Sequence, residues 1–262
     1  MKERKQKTEN RSQKGQSASV RFALRAKRLR TRYFLLSSIL FSVFCFLFSF
    51  PVAAQKPPVV ERITDRVFRV GAITVDTAAR TATCPGEINM DAGAVEYLAV
   101  APGGKLHESL LRVDARPLHL QVALLLLGLE PKNVLQAQGE SKIPEGDQVE
   151  IRVRWRDANG DAQEVRAESL LVSGPKNLPM PDHAWVFTGS RILKEGFEGD
   201  IAKSLAAIWH DPAALLDNPL PTGANNVWAV NPKRTPKRGT PIEFIIKALP
   251  KREVKPSELP EK

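Results

Sequence analysis

Cysteine is nearly absent from this sequence, since its 262 residues include only Cys45 and Cys84. Cys45 lies inside an N-terminal apolar segment, so Cys84 is the single thiol in the rest of the chain. One thiol cannot form an internal disulfide, and an iron–sulfur cluster needs about four thiolates. The cysteine count therefore excludes such a cluster, and we predict no cofactor. Cys84 lies in the strand-like run TATCPGEI, where we expect a buried, unreactive thiol.

Positive charge is also lacking once the first 32 residues are set aside. The whole chain has 39 Lys and Arg and 29 Asp and Glu, a net charge of +10. Residues 1–32 hold twelve of these basic residues and two of the acidic ones, which leaves 27 of each kind in residues 33–262. A surface that binds a phosphate backbone needs a surplus of Lys and Arg. We therefore expect no nucleic-acid partner, and we interpret residues 1–32 as a disordered basic arm.

Residues 33–50 form the one long run without a charged side chain, YFLLSSILFSVFCFLFSF. An apolar run after a basic arm is typical of a signal sequence, and Val52 and Ala54 provide the small residues of a cleavage site. Eighteen residues of helix also span about 27 Å, close to the thickness of a bilayer core. We interpret residues 33–54 as a signal-peptide apolar region with its cleavage site, or as an uncleaved membrane anchor. Either interpretation directs the rest of the chain to the periplasm, the envelope or the outside of the cell.

The pattern over residues 55–249 predicts a single domain, and the polar residues 250–262 predict a disordered tail. Residues 148–156 alternate between apolar and charged side chains, and a DANGD turn separates them from a second apolar run over 162–172. This is the pattern of an antiparallel hairpin with one buried face. Similar short strands are predicted along most of the domain.

One helix is predicted, over Leu118–Leu127. Pro117 suits its first position, Gly128 suits its end, and four successive leucines indicate that it is buried nearly all round. The sequence thus predicts an α+β fold, a sheet-rich and mostly antiparallel single domain with one buried helix. The signal or anchor segment precedes this domain.

No complete catalytic motif is present, but two polar stretches are candidates for a site. His107 and Glu108 follow a Gly-Gly turn, but an HExxH zinc motif would need His where Leu111 stands. Asp182 and Ser190 flank a strand-like run that ends at a Gly-Ser turn, without the glycines of a nucleophile elbow. If the two stretches ran side by side, His107, Glu108 and Ser190 would converge. His107, Glu108, Ser190 and Asp182 are the catalytic candidates, and His107 and Glu108 are also the metal candidates.

Four separated motifs carry a resemblance to a known family. They run from Val95-Glu96 through GKLHESLL to LLLLG, and continue with WVFTGS, DPAALL and GTPI. In this order they resemble the YdjY-type domain of exported bacterial proteins, over nearly all of residues 60–249. The resemblance implies secretion or a lipid anchor and no established activity. This chain lacks the lipobox cysteine of the lipid-anchored members.

Two functional hypotheses follow. The first is an exported or membrane-tethered envelope protein that acts as a non-catalytic binding or structural module for an envelope ligand or protein. Its membrane contact would be residues 33–50 if the leader is not cleaved. The second is a hydrolase or metal-dependent enzyme with a site around His107, Glu108 and Ser190.

Overall fold

The computed structural model describes residues 59–174, 177–221 and 227–251. The predicted leader over residues 1–54 and the part of the predicted tail from 252 to 262 lie outside these residues. Seventeen strands are present: β1 (Val60–Arg62), β2 (Val67–Val70), β3 (Ile73–Asp76), β4 (Thr81–Ile88), β5 (Tyr97–Val100), β6 (Ser109–Val113), β7 (Pro131–Lys132), β8 (Glu145–Arg156), β9 (Ala162–Arg166), β10 (Leu171–Ser173), β11 (Trp185–Phe187), β12 (Ile192–Leu193), β13 (Gly196–Phe197), β14 (Ser204–Ala207), β15 (Leu216–Asp217), β16 (Trp228–Val230) and β17 (Pro241–Ala248). The helical segments are the α-helices α1 (Pro117–Leu126) and α2 (Glu198–Ala202) and the 3₁₀ turns η1 (Leu106–Glu108) and η2 (Ala167–Leu170).

Eight strands close on themselves into a barrel. Their order is β4, β17, β8, β11, β15, β14, β5 and β6, and β6 pairs with β4 again. β14 is parallel to β15 and β5 is parallel to β6, while the other six neighbouring pairs are antiparallel. β1, β2 and β3 extend the sheet from β4, whereas β7 and β9 pair with β8. The remaining strands form the separate pairs β10–β16 and β12–β13.

The predicted hairpin corresponds to β8, the longest of the strands named above, and β9. Val149, Ile151 and Val153 of β8 are fully buried, and Arg154 and Arg156 are exposed, because successive side chains of a strand point to opposite faces. β8 pairs antiparallel with β9 across the turn at residues 157–161. The second arm is shorter than predicted because the chain turns into η2 after β9 and only then continues as β10.

The prediction of an α+β domain with one buried helix is wrong. Within the described residues, helix is limited to ten residues in α1, five in α2 and the two 3₁₀ turns, and the sheet closes into a barrel. α1 lies on the surface, because Leu125 is 47% exposed while Leu124 is fully buried. Successive residues of a helix are about 100° apart, so four leucines in a row cannot all face one core. Among the described residues, no helix is long and apolar enough to cross a membrane.

The ends of α1 follow the sequence prediction, with one addition. Pro117 is the first helical residue, and Gly128 adopts a φ of +77° just beyond the end, which glycine does without strain. The helix has no capping side chain of its own at Arg116. Instead Asp200, in α2, accepts a hydrogen bond of 2.9 Å from the backbone N–H of Leu118. The two helices are therefore joined at the point where α1 begins.

Candidate functional site

The candidate residues His107 and Glu108 lie together in η1. The His107 side chain is 80% exposed, and its Nε2 lies 3.4 Å from Oε2 of Glu108. Glu108 is only 20% exposed, and its Oε1 lies 3.6 Å from Nζ of Lys105. The structure therefore joins these two candidates to a third polar residue, Lys105, that precedes them by one turn.

The other two candidates lie in different surroundings. Ser190 follows β11, and its buried Oγ has no hydrogen-bond partner among the described residues, so no hydrogen bond joins it to His107. The Asp182 side chain is 69% exposed, and its Oδ2 lies 3.6 Å from Nε of Arg166. The contacts thus divide the four candidates among three clusters.

Lys105, the neighbour of His107 and Glu108, also belongs to a larger polar cluster that is built around Tyr97 of β5, which is fully buried. Its hydroxyl donates a hydrogen bond of 2.7 Å to Oδ2 of Asp211, and it accepts one of 2.8 Å from Nζ of Lys105 and one of 3.0 Å from Nε2 of Gln138. Ser204 adds a contact of 3.3 Å from its Oγ to the same oxygen of Asp211. We call Tyr97, Lys105, Gln138, Ser204 and Asp211 the Tyr97 cluster.

Local backbone geometry fixes the acidic member of this cluster. Asp211 Oδ1 accepts the N–H of Ala213 at 2.9 Å, which closes a tight turn. The N–H of Asp211 donates to Oδ2 of Asp217, and Oδ1 of Asp217 accepts the N–H of Asn218 at 2.7 Å. Asp217 is fully buried, and burial raises its pKa well above the usual range. These hydrogen bonds fix the turn in which Asp211 faces Tyr97.

A pair of carboxyl groups lies beside the Tyr97 cluster. Glu96 is next to Tyr97 in the chain, and its backbone N–H donates to the carbonyl oxygen of Glu108 at 2.9 Å. Burial raises the pKa of Glu96, and the charge of the Glu108 carboxylate together with a hydrogen bond between the two side chains raises it further. The positive charges of Lys105 and His107 act in the opposite direction. We call Glu96 and Glu108, whose side chains share this hydrogen bond, the carboxyl pair.

The chemistry open to Tyr97 itself is narrow. A phenolic hydroxyl has one hydrogen to donate and two lone pairs to accept with, and all three are used here. Burial and the negative charge of Asp211 raise the pKa of Tyr97, so the phenol keeps its proton at neutral pH. Tyr97 is therefore a fixed centre that orients Lys105. It is not an activated nucleophile.

A second polar cluster surrounds Glu168 of η2, which is fully buried. Its Oε1 accepts hydrogen bonds from Nε1 of Trp185 at 3.1 Å and from Nη2 of Arg166 at 2.9 Å, while its Oε2 has no partner within the part of the chain that the structure describes. Nδ1 of His183 lies 3.0 Å from the carbonyl oxygen of Pro181, so this nitrogen carries the hydrogen. Burial lowers the pKa of His183, and its buried Nε2 has no hydrogen-bond partner among residues 59–174, 177–221 and 227–251. Asp182 is the exposed end of this cluster.

Metal ligation was a candidate role for His107 and Glu108. Within residues 59–174, 177–221 and 227–251, no three His, Cys, Asp or Glu side chains are grouped so that they could hold a metal ion. His107 and Glu108 supply two such groups from adjacent positions of η1.

Tyr97, Asp211 and Glu96 are not among the site residues that the sequence predicts. Tyr97 stands in the apolar run AVEYLAVA, and 114 residues separate it from Asp211. The one available signal was a Glu-Tyr pair inside a run of buried strand residues, where a polar tip needs a partner. Nothing in the local pattern identifies that partner.

The fold and these clusters define a class of protein. It is a barrel domain of mostly antiparallel strands, with a polar cluster formed by β5, η1 and the loop before β15. The YdjY domain model matches residues 73–247, more than half of the chain, and the protein therefore belongs to the YdjY domain family. The resemblance seen in the sequence motifs is thus confirmed. No curated protein and no solved structure is similar enough to count as a match.

Proposed function

We propose that this YdjY domain protein is an exported or membrane-tethered envelope protein that binds a ligand and does not catalyse a reaction. The leader pattern of residues 1–54 supports export. The absence of a complete catalytic motif from the sequence supports binding over catalysis. The ligand site that we propose is the exposed edge of the Tyr97 cluster, where Lys105, His107 and Glu108 reach the solvent.

The observation that carries this proposal is the saturated hydroxyl of Tyr97. With three hydrogen bonds made inside the protein, it has none left for a substrate. Its role is then to hold the Lys105 ammonium, which is also 4.8 Å from the centre of the Tyr97 ring. A fixed ammonium next to a carboxyl pair suits a ligand that carries both acceptor and donor groups.

The cell wall is the envelope component that we propose as this ligand. Peptidoglycan carries carboxylates that Lys105 can bind, and amines and hydroxyls that can donate to Glu108. Such contacts are charge-assisted hydrogen bonds, which are stronger than neutral ones. They need no net charge on the protein, in agreement with the 27 acidic and 27 basic residues beyond the arm.

Co-sedimentation with insoluble peptidoglycan tests this proposal. We expect the purified chain from Gln55 onward to sediment with the cell wall, and the double variant Lys105→Met, Glu108→Gln to remain in the supernatant. A matched control is Lys194→Met, Glu195→Gln, which changes the same residue types in the exposed turn between β12 and β13. Sedimentation that is absent in the wild type, or equal in both double variants, would contradict the proposal.

The hydrolase hypothesis remains the second candidate, and the carboxyl pair is the observation in its favour. A carboxyl group with a raised pKa beside a second carboxyl group is an arrangement that suits a general acid. Glu96→Gln separates the two candidates, because the amide can still donate a hydrogen bond but cannot release a proton. A binding module keeps its sedimentation in this variant. If the protein is a hydrolase, the wild type should release soluble fragments from the peptidoglycan, and Glu96→Gln should not.

The export part of the proposal has its own test. N-terminal sequencing of the protein recovered from the envelope should give a chain that starts at Gln55 if the leader is cleaved, or one that retains residues 33–50 if the protein is tethered. A protein found only in the cytoplasm with an intact leader would contradict both forms.

A further inference from the structure

Three buried oxygen atoms around Gly189 have no partner among the described residues. They are Oε1 of Gln121 in α1, Oδ1 of Asn133 between β7 and β8, and Oγ of Ser190. A buried polar atom without a hydrogen bond is costly, and native proteins rarely keep several of them together. The three come from separate segments of the chain, so a group that pairs with all of them would join those segments.

Contacts with Gly189 bring these three residues together. Nδ2 of Asn133 donates a hydrogen bond of 2.8 Å to the carbonyl oxygen of Gly189. A Cβ placed on Gly189 would lie 3.3 Å from the amide atoms of Gln121 and 2.5 Å from Cβ of Pro131. Ser190 is the next residue in the chain. Gly189 has a φ of +65°, so glycine suits this position in backbone conformation as well as in size.

The orientation of the Asn133 amide is fixed by its other contacts. Its Nδ2 donates to two carbonyl oxygens, those of Gly189 and Pro212, each at 2.8 Å. Exchanging the nitrogen and oxygen of the amide would place oxygen against oxygen at both contacts. Oδ1 is therefore a true acceptor, and it faces away from the two carbonyls.

We propose that Gln121, Asn133 and Ser190 form an internal binding site for one water molecule. A water donates two hydrogen bonds and accepts two, and buried waters usually have two to four polar partners. In this site it would donate to Oε1 of Gln121 and Oδ1 of Asn133 and accept the hydrogen of the Ser190 hydroxyl. All three unpartnered oxygens are then satisfied by one molecule.

The numbers of hydrogen-bond donors and acceptors in the site also exclude an alkali cation and an ammonium group as the occupant. A potassium or sodium ion would leave the Ser190 hydrogen without an acceptor, and the site offers three neutral oxygens without a carboxylate to balance the charge. An ammonium group has no lone pair for the Ser190 hydroxyl to donate to. Water is the occupant that matches two acceptors and one donor.

The bound water would connect the barrel to the loop that carries Asp211 through hydrogen bonds. Asn133 already links Gly189 to Pro212, the residue after Asp211. Thr188, one residue before Gly189, donates from Oγ1 towards the carbonyl oxygens of Ala214 and Leu215 at 3.2 and 3.1 Å. A water shared with α1 would connect this loop to the helix as well.

A high-resolution crystal structure of the exported chain, grown without ammonium and soaked with rubidium, tests the proposal. We expect a solvent peak within hydrogen-bond distance of all three oxygens and no anomalous rubidium signal. A rubidium signal at the site, or side chains that turn to pair with one another, would overturn the proposal. The experiment does not depend on the proposed ligand, so failure of cell-wall binding leaves it unaffected.

A measurement in solution removes dependence on the crystal. Oxygen-17 magnetic relaxation dispersion counts long-lived internal waters, and we expect one fewer in Gln121→Leu than in the wild type. Ser169→Ala is the matched control, because Ser169 donates to a carbonyl oxygen of its own turn, that of Arg166, at 2.7 Å. An unchanged count in a folded Gln121→Leu protein would contradict the proposal.

Discussion

Tyr97 and Asp211 are 114 residues apart in the chain, and their side chains meet in a hydrogen bond of 2.7 Å between the phenolic hydroxyl and Oδ2. This contact joins β5 to the loop before β15, and these two segments are far apart in the sequence. β5 is also joined to β14, and β14 to β15, by strand pairing. The Tyr97–Asp211 hydrogen bond therefore holds the loop against β5, in a part of the barrel where strand pairing already connects β5, β14 and β15.

We expect Tyr97→Phe to lower the free energy of unfolding by about 1–3 kcal/mol. The change removes the hydroxyl and leaves Oδ2 of the buried Asp211 with only the 3.3 Å contact from Ser204, and weakening the pairing of a buried carboxylate costs more than the loss of an exposed hydrogen bond. Urea denaturation of the chain from Gln55 onward measures this loss. Thr77→Val is the control, since it removes an exposed hydroxyl that donates to the carbonyl oxygen of Arg66. Equal losses in the two variants would show that the buried network adds no stability.

The fold was predictable where strands are neighbours in sequence, and not where they meet across the chain. The β8–β9 hairpin has a two-residue period and a turn, so its sequence defines both arms. Closure of the barrel depends on pairs such as β4 with β6 and β5 with β14. β5 and β14 are buried on both faces, so their side chains do not alternate, and no periodicity indicates which strands they join.

The candidate site was predictable to a similar extent. A Gly-Gly turn followed by two polar residues led to His107 and Glu108, which do lie beside the main polar cluster. Tyr97 and Asp211 could not be found, because an apolar strand hides the first and the second resembles a helix cap. Asp211 in fact accepts the N–H of Ala213 and closes a turn. Their partnership depends on the tertiary structure alone.

Gly71→Ala should destabilise the protein more than Gly103→Ala. Both glycines have a positive φ, +61° at Gly71 and +81° at Gly103, so both substitutions strain the backbone by about 1–2 kcal/mol. Only at Gly71 would the new Cβ also collide, lying 2.2 Å from Nδ1 of His119 in α1. Around Gly103 there is nothing within 4 Å. Thermal denaturation of the two variants measures the difference.

The collision with His119 can be isolated by a double-mutant cycle. In the background His119→Ala the steric part of the Gly71→Ala loss should disappear, which leaves the backbone strain that Gly103→Ala also shows. If Gly71→Ala lowers the stability equally with His119 and with His119→Ala, the imidazole ring of His119 moves aside without cost.

Asp200→Ala should shorten or loosen α1, although the residue lies in α2. Its carboxylate accepts the Leu118 N–H at 2.9 Å and pairs with Nε of Arg116 at 2.6 Å, and its side chain is only 3% exposed. Loss of a helix cap and a half-buried ion pair should cost about 1–3 kcal/mol. Asp65→Ala is the control, because its pair with Arg62 is mostly exposed and should contribute about 0–1 kcal/mol. Hydrogen exchange should show faster exchange in the first turn of α1 only for Asp200→Ala.

Glu96 should make a contribution to stability that is lost as the pH rises above 4.5. The pKa of Glu96 is raised in the folded protein, so between the unfolded and folded pKa values the folded state holds a proton that the unfolded state has released. Asp217 acts in the same direction and is present in every variant. Urea denaturation at a series of pH values should therefore show the stability of the wild type decreasing relative to that of Glu96→Gln as the pH rises. In Glu195→Gln, an exposed control, the slope should be unchanged.

Cys84 should resist thiol reagents for as long as the protein is folded. Its Sγ is buried in β4, 3.8 Å from the carbonyl oxygen of Phe244, and burial together with the charge of Asp114 raises its pKa to about 12. A thiol reacts as the thiolate and must be accessible to the reagent. Cys84 in the folded protein is neither ionised at neutral pH nor accessible. We expect no maleimide labelling of the chain from Gln55 onward at neutral pH, and full labelling in denaturant. Ala158→Cys, in the exposed turn between β8 and β9, should add one thiol that labels at once. Native labelling of Cys84 at a comparable rate would mean that β4 separates from β17 far more readily than a closed barrel allows.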